Sequence, residues 1–451
     1  MAVRVGHAPF AVMRWLYSLL MWLAQPLLRR KLCRRGAQEA GYLHAIDERF
    51  GHYTQAVAPH NGPTVWVHAV SLGETRAAAV LIAALRAQWP SMRLLLTHGT
   101  ATGRAEGQKL LQPGDLQTWQ PWDAPGAAQR FLAHFQPDLG VLMETEIWPN
   151  LVHLCRRQGV PLVLVNARLS DKSLRQAQRL AWLARPAYAG LAAVWAQTAA
   201  DAERLTQLGA PVRGVLGNLK FDATPDQTQL ALGRQWRLGV GRPVVMLASS
   251  REGEELALLQ ILKEFWPLAD MNQPLVATKS IVNQVLWLIV PRHPQRFEAV
   301  AELIQSQGFA VSRRCQWSPE GPGAMPQGPT IWLGDSLGEM ALYYGLADVA
   351  LLGGSFEPLG GQNLIEAAAC GCPVVMGPHT FNFAEAAEQA LAAGAALRTI
   401  NLQQAVTVAS ALPFDNDELS KTRLAAGQFA QAHQGAAIRQ AAALNHYLVG
   451  F

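Results

Sequence analysis

Charge is scarce in this 451-residue sequence: Asp, Glu, Lys and Arg make up 16% of it, against 50% hydrophobic residues. A chain this long and this apolar has material for about two or three ordinary domains with full cores. Cysteine is scarce too. The five, Cys33, Cys155, Cys315, Cys370 and Cys372, are odd in number and scattered, and no His/Cys set has zinc spacing. Structural thiols in a reducing compartment fit better than a disulfide framework. G-x-G-x-x-G is absent, so a dehydrogenase has no direct support. The net charge is only +5, and Arg29, Arg30, Lys31, Arg34 and Arg35 crowd into one segment. A nucleic-acid binder would spread such charge over its folded surface.

What is present begins with one long apolar run, FAVMRWLYSLLMWLAQPLL, from Phe10 to Leu28. Its length suits a bilayer, it carries Trp15, Tyr17 and Trp22 for the interface, and its single charge is Arg14. Pro26 is expected to break it near the end. No small-residue cleavage site follows, and the basic cluster does, which argues against a cleaved signal peptide. Residues 1–35 therefore read as a membrane anchor and basic flank, spanning or lying in the interface, with the rest of the chain held in the cytosol. A buried amphipathic helix is the alternative, and it leaves the basic block unexplained.

Beyond the anchor, short continuous apolar runs alternate with helical patterns. Strands are expected at 65–70, 92–99, 139–145, 160–169 and 191–198, then at 243–250, 285–292, 331–336, 349–355 and 373–378. Continuous runs indicate parallel strands covered on both faces, and the helices between them make βαβ units. A turn-rich stretch near Asp222–Gln227 divides two Rossmann-like domains, 36–224 and 225–451. Residues 265–284 read as an inserted excursion and 316–329 as a Gly/Pro-rich loop.

Charged groups gather after the apolar runs, where doubly wound sheets place ligands. HAVSLGE ends in Glu74; Ser71 and Glu74 are spaced as a capping box, so a cap and a functional carboxylate are both open. METEIWPN places Glu144 and Glu146 at a strand end. GNLKFD places Lys220 near the seam, and NARLSDKS holds Arg168 and Lys172, the latter read as ordinary surface charge. VPRHPQR offers Arg292 to phosphate. GDSLGEM makes another turn at a strand end. GGSFEPLGGQNLIEAAA supplies paired glycines before a helix start, with Glu366 one turn inside it, where backbone can approach a phosphate and a carboxylate can reach a ribose. Tight turns and a helix-dipole contact explain each of these singly.

Together the runs HAVSLGE, METEIWPN, NARLSDKS, GNLKFD, VPRHPQRF, GDSLGEM and GGQNLIEAA, in this order, resemble the 3-deoxy-manno-octulosonic acid (Kdo) transferases of Gram-negative bacteria over nearly the whole chain. The resemblance implies an α/β GT-B fold, two Rossmann-like domains facing a cleft, with an N-terminal membrane-anchor helix. It implies inverting transfer of Kdo from CMP-Kdo to the lipid A precursor at the cytoplasmic face of the inner membrane, with no cofactor and no metal. By position it makes Glu74 the general base, and assigns Glu144 and Lys220 to transition-state stabilisation. CMP binding falls to Pro291 and Arg292, to Leu337, Gly338 and Glu339, and to Asn363, Leu364, Ile365 and Glu366. The chain departs from the pattern at Gln362 and Arg251, each in place of a histidine, and at Leu364 in place of a proline; Arg251 is a candidate for donor phosphate or carboxylate. The competing readings are another GT-B nucleotide-sugar transferase or epimerase, and a membrane-tethered nucleotide-binding module without catalysis.

Overall fold

The computed structural model describes residues 8–222, 224–265, 281–323 and 328–448, with side chains from Met13 onward. Most of the 265–284 excursion, and part of the 316–329 loop, lie outside the described residues. Two compact units emerge, one of Met1–Asp222 with Gln434–Phe451 and one of Ala223–His433.

The first unit is a seven-stranded parallel sheet: β1 (Thr64–His68), β2 (Arg93–His98), β3 (Leu116–Trp119), β4 (Leu139–Met143), β5 (Leu162–Ala167), β6 (Ala193–Ala196) and β7 (Val212–Val215). The order is β3-β2-β1-β4-β5-β6-β7. The strand period of two splits its apolar residues between two cores. Val65 and Val67 of β1 face Leu81 and Leu85 of the helix Leu72–Gln88, while Trp66 faces Phe131 and Leu132. Both faces are therefore covered, which is why the central strands read as unbroken apolar runs.

The second unit repeats the plan with β8 (Val244–Ser250), β9 (Leu286–Pro291), β10 (Ala310–Arg313), β11 (Thr330–Leu333), β12 (Val349–Leu352), β13 (Val374–Met376) and β14 (Ala396–Arg398). These strands are again all parallel, in the order β10-β11-β9-β8-β12-β13-β14.

The expectation of one continuous second domain over 225–451 needs correcting at its end. The helix Ala436–Leu444 belongs to the first unit, where Ala437, Ala441, Leu444 and Leu448 join the core around Val65 and Leu81. Asp222 fixes its start by accepting hydrogen bonds from the Gly435 and Ala437 N–H groups, and Trp89 Nε1 donates to Asn445 Oδ1 at 2.7 Å. An alanine-rich helix can bury one face against either sheet, and its sequence alone does not say which.

The amino-terminal run folds as one helix, Ala8–Gln38, which continues through Pro26 instead of breaking there. Proline costs an interior helix one hydrogen bond and a steric conflict, so the surrounding contacts have to hold this turn. Tyr17 hydrogen-bonds buried Asp123, Ser18 Oγ donates to Asn150 Oδ1 at 2.9 Å, and Leu32 is buried with Tyr42, Phe50 and Trp119. Arg14, the one charge in the run, lies within electrostatic range of Asp123. The other face leaves Trp15, Leu16, Leu20, Trp22, Leu23 and Leu27 exposed. No helix among the described residues is long and apolar enough to cross a membrane.

Candidate active site

In the first sheet the strand order reverses between β1 and β4, and the chain leaves both strands on loops carrying acids. After β1, Ser71 caps the helix Leu72–Gln88 by accepting from the Glu74 N–H. Glu74 in return accepts from the Val70 N–H at 2.9 Å and from Ser71 Oγ at 3.2 Å. The capping box is real, and it aims a half-buried carboxylate across a strand end. Burial, the largest effect, raises the Glu74 carboxyl to about 7; the Val70 N–H opposes this, and the charges of Glu144 and Glu146 add to it. A carboxyl group poised near neutrality suits general base work.

Glu144 follows β4. Its backbone sits in the left-handed region at φ 56°, and its side chain is almost fully buried. Arg168 Nε approaches one carboxylate oxygen to 2.7 Å and Lys220 Nζ the other to 3.3 Å. The Arg168 N–H also donates to the Glu144 carbonyl. A buried charge demands such partners. Lys220 lies in the turn Leu219–Asp222, which is held by Asn166: its Oδ1 accepts from the Leu219 N–H, and its own N–H donates to Gln440 Oε1. Glu74, Glu144 and Lys220, far apart in sequence, thus meet at one end of one sheet. Arg168 as the counter-ion of Glu144, and Gln440 from the returning helix, escaped the sequence reading. The quoted NARLSDKS run held the first signal; nothing in the sequence marked the second.

The donor candidates all lie in the second unit. Pro291 ends β9 and is buried; Arg292 follows it, exposed, with its N–H donating to the Ser250 carbonyl at the end of β8. Leu337, Gly338 and Glu339 form the turn after β11. Gly338 has φ 83°, Leu337 is 76% exposed, and Glu339 pairs with Arg314 at 2.9 Å. Asn363 caps the helix Leu364–Ala369 through its side-chain oxygen, which accepts from the Ile365 N–H. Leu364 and Ile365 are both 1% exposed, so their side chains face the core. Glu366 and Arg292 both act on the buried Tyr344 hydroxyl, which brings these two candidates together. Gly353 is required by packing: a Cβ there would lie 2.4 Å from the Ser249 carbonyl oxygen.

A family model described as 3-deoxy-D-manno-octulosonic-acid transferase (kdotransferase) matches residues 44–223. The chain is 46% identical over 442 residues to the 3-deoxy-D-manno-octulosonic acid transferase of Bordetella pertussis, covering 96% of this chain and 99% of that one. It is 32% identical over 378 residues to the transferase of the same name from Haemophilus influenzae, covering 82% and 84%. Among solved structures it is similar to Anabaena Alr3699/HepE in complex with UDP-glucose, at TM-score 0.52 and 16% identity over 85% of this chain and all of that one. It is also similar to UDP-GlcNAc 2-epimerase from Neisseria meningitidis bound to UDP-GlcNAc, at TM-score 0.53 and 14% identity over 86% and 100%. At such identities the likeness is one of fold, and the fold is GT-B.

Proposed function

The chain belongs to the 3-deoxy-D-manno-octulosonic acid (Kdo) transferase family and is a glycosyltransferase of lipopolysaccharide biosynthesis, and from that premise we propose that it moves Kdo from CMP-Kdo to the lipid A precursor. The observation that carries this reading is Glu74, held by its own capping box at the sheet's reversal with a carboxyl near 7. Glu74 takes the proton from the acceptor hydroxyl as that oxygen attacks the anomeric carbon of Kdo. The bond from that carbon to the CMP phosphate breaks on the opposite side, so the configuration inverts and CMP leaves with the electron pair. Arg168 and Lys220 share the single Glu144 carboxylate, which leaves one net positive charge, already oriented, to oppose negative charge that develops in the transition state.

In this reading the first unit, after the anchor of residues 1–35, takes the acceptor. The second binds CMP through Pro291, Arg292, the Leu337–Glu339 turn and the Asn363–Glu366 segment. The amino-terminal helix works as an interfacial element at the cytoplasmic face of the inner membrane. Its exposed Trp15, Leu20, Trp22, Leu23 and Leu27 enter the acyl boundary, and the exposed Arg30, Lys31 and Arg34 meet anionic headgroups.

The deciding experiment gives the purified protein CMP-Kdo and a lipid A precursor and scores CMP release and product mass. CMP release without a Kdo-bearing lipid would refute the acceptor. For the helix, Leu20→Glu with Leu23→Glu should move the protein out of the membrane fraction after a high-salt wash, while its melting temperature stays unchanged. Retention would refute the interfacial assignment.

A further inference from the structure

In the second sheet the strand order reverses between β8 and β12, and Arg251 is the first residue beyond β8. The crevice beyond the carboxyl ends at such a reversal is where open α/β sheets bind ligands. The backbone around Arg251 is fixed from two sides by one group. Glu254, 1% exposed, accepts from the Arg251 N–H at 3.0 Å. The same carboxylate accepts from the Gly354 N–H, at 2.8 and 2.7 Å to its two oxygens, and from the Phe356 N–H at 3.4 Å. It thereby ties the turn after β8 to the turn after β12. Gly354 has φ 71°, and a Cβ there would lie 3.1 Å from Gln362 Nε2 and 3.6 Å from Arg251 Cγ. Arg251 and Gln362, distant in sequence, flank one bare glycine.

The surroundings are cationic. His293 is held below the ordinary imidazole range by burial first, and then by the charges of Arg251, Arg292 and Arg296, so these groups share one neighbourhood. Arg296 is neutralised by a two-pronged contact with buried Glu255, at 2.7 and 3.1 Å. Arg251 has no carboxylate partner among the described residues, and Glu254 commits both its oxygens to backbone N–H groups. A guanidinium without a counter-ion, among other cations, presents its fork to an external anion.

We propose that Arg251 is a donor-binding residue whose guanidinium holds the anionic centre of the activated sugar, with Gly354 kept bare so that this anion can approach. The inference rests on the CMP-Kdo reading above. The shared chemistry is a single anion with two sources in that donor: the phosphate, also present in CMP, and the sugar carboxylate, present only in CMP-Kdo.

The test uses the full chain, with calorimetric titration of CMP and separate KM values for CMP-Kdo and for the lipid acceptor. Arg251→Ala should raise the Kd for CMP by about 10- to 100-fold if the phosphate is held, the scale of a charged hydrogen bond. If the carboxylate is held, the rise appears in the CMP-Kdo KM alone. In both cases the acceptor KM stays within about twofold, and Arg251→Lys recovers part of the loss. Should the alanine variant be unstable, Arg251→Gln keeps the length, removes the charge and is read in the same way. Unchanged CMP affinity together with unchanged donor KM overturns the inference, as does an equal rise in donor and acceptor KM. Wild-type protein that neither binds CMP nor turns over CMP-Kdo sinks the donor reading itself, and this inference with it.

Discussion

The two sheets are wound alike and armed oppositely. At the reversal of the first, β1 and β4 lead into Glu74 and Glu144. At the reversal of the second, β8 and β12 lead into Arg251 and the pair Gly353–Gly354. The first reversal holds a carboxyl whose proton can move near neutral pH; the second holds a cation and backbone with no side chain in the way. The scaffold decides where chemistry happens and the side chains decide which chemistry, so on the proposed reading one architecture serves proton removal in one unit and anion binding in the other.

The hardest test of this contrast is Glu74→Gln. Glutamine can still complete the capping box, so stability should change little. Loss of the base should cut kcat by about a hundredfold or more. CMP affinity, which the proposal assigns to the other sheet, should hold. A folded variant with near-normal turnover would reduce Glu74 to a cap and erase the contrast. On the donor side, Arg292→Ala should weaken CMP binding by about 1.5–3 kcal/mol, the range for a charged hydrogen bond, with the acceptor KM unmoved. Calorimetry that finds CMP binding intact would remove Arg292 from the site.

How much of this was legible follows from which parts of each sheet are covered. The ten strands expected from apolar runs all exist, and the strands that escaped, β3, β7, β10 and β14, are the four sheet edges. Edges have one neighbour, and β7, β10 and β14 also have less cover, so VRGV, AVSR and ALR need no unbroken apolar run; in β7 the exposure simply alternates. β3 (LQTW) is buried throughout but carries polar Gln117 and Thr118 there, which hid it from an apolar-run reading. Single site residues were legible because strand ends are legible. Their pairings were not. That Arg168 neutralises Glu144, that Glu254 joins two turns, and that Gln440 steadies the Lys220 turn are facts of distance between remote segments. The continuation of the first helix through Pro26 was likewise unreadable, because the contacts that hold it, through Tyr17, Ser18 and Leu32, lie on residues distant in sequence.

A smaller effect is expected at Glu366, half-buried at the start of the helix Leu364–Ala369. If it accepts from a ribose hydroxyl, Glu366→Gln should weaken CMP several-fold and 2′-deoxy-CMP much less, since a neutral amide accepts more weakly than a carboxylate. Equal losses for the two nucleotides would assign Glu366 to helix stability instead.

The finest test changes the pH response of the first sheet and leaves its chemistry in place. Burial does most to raise the Glu74 carboxyl to about 7, and the Glu144 and Glu146 charges contribute. The Glu144 charge is tied up with Arg168 and Lys220, so removing it would dismantle two ion pairs. Glu146 forms no ion pair among the described residues: its own carboxyl is raised by burial and eased by Trp148. Glu146→Gln takes away one negative charge near Glu74, so ionising Glu74 becomes easier and its pKa falls. Because the base works unprotonated, the acidic limb of kcat/KM should move to lower pH, by about half a unit for one charge acting through a partly solvated gap. Stability should follow with a determinate sign. A carboxyl raised from 4.5 to about 7 on folding stabilises the protein below pH 4.5, and that contribution is lost as pH rises through about 7. In Glu146→Gln the loss should be complete at a lower pH. A limb that stays put, or moves upward, would mean that Glu74 does not set the profile, and the contrast between the two sheets would then need another proton acceptor.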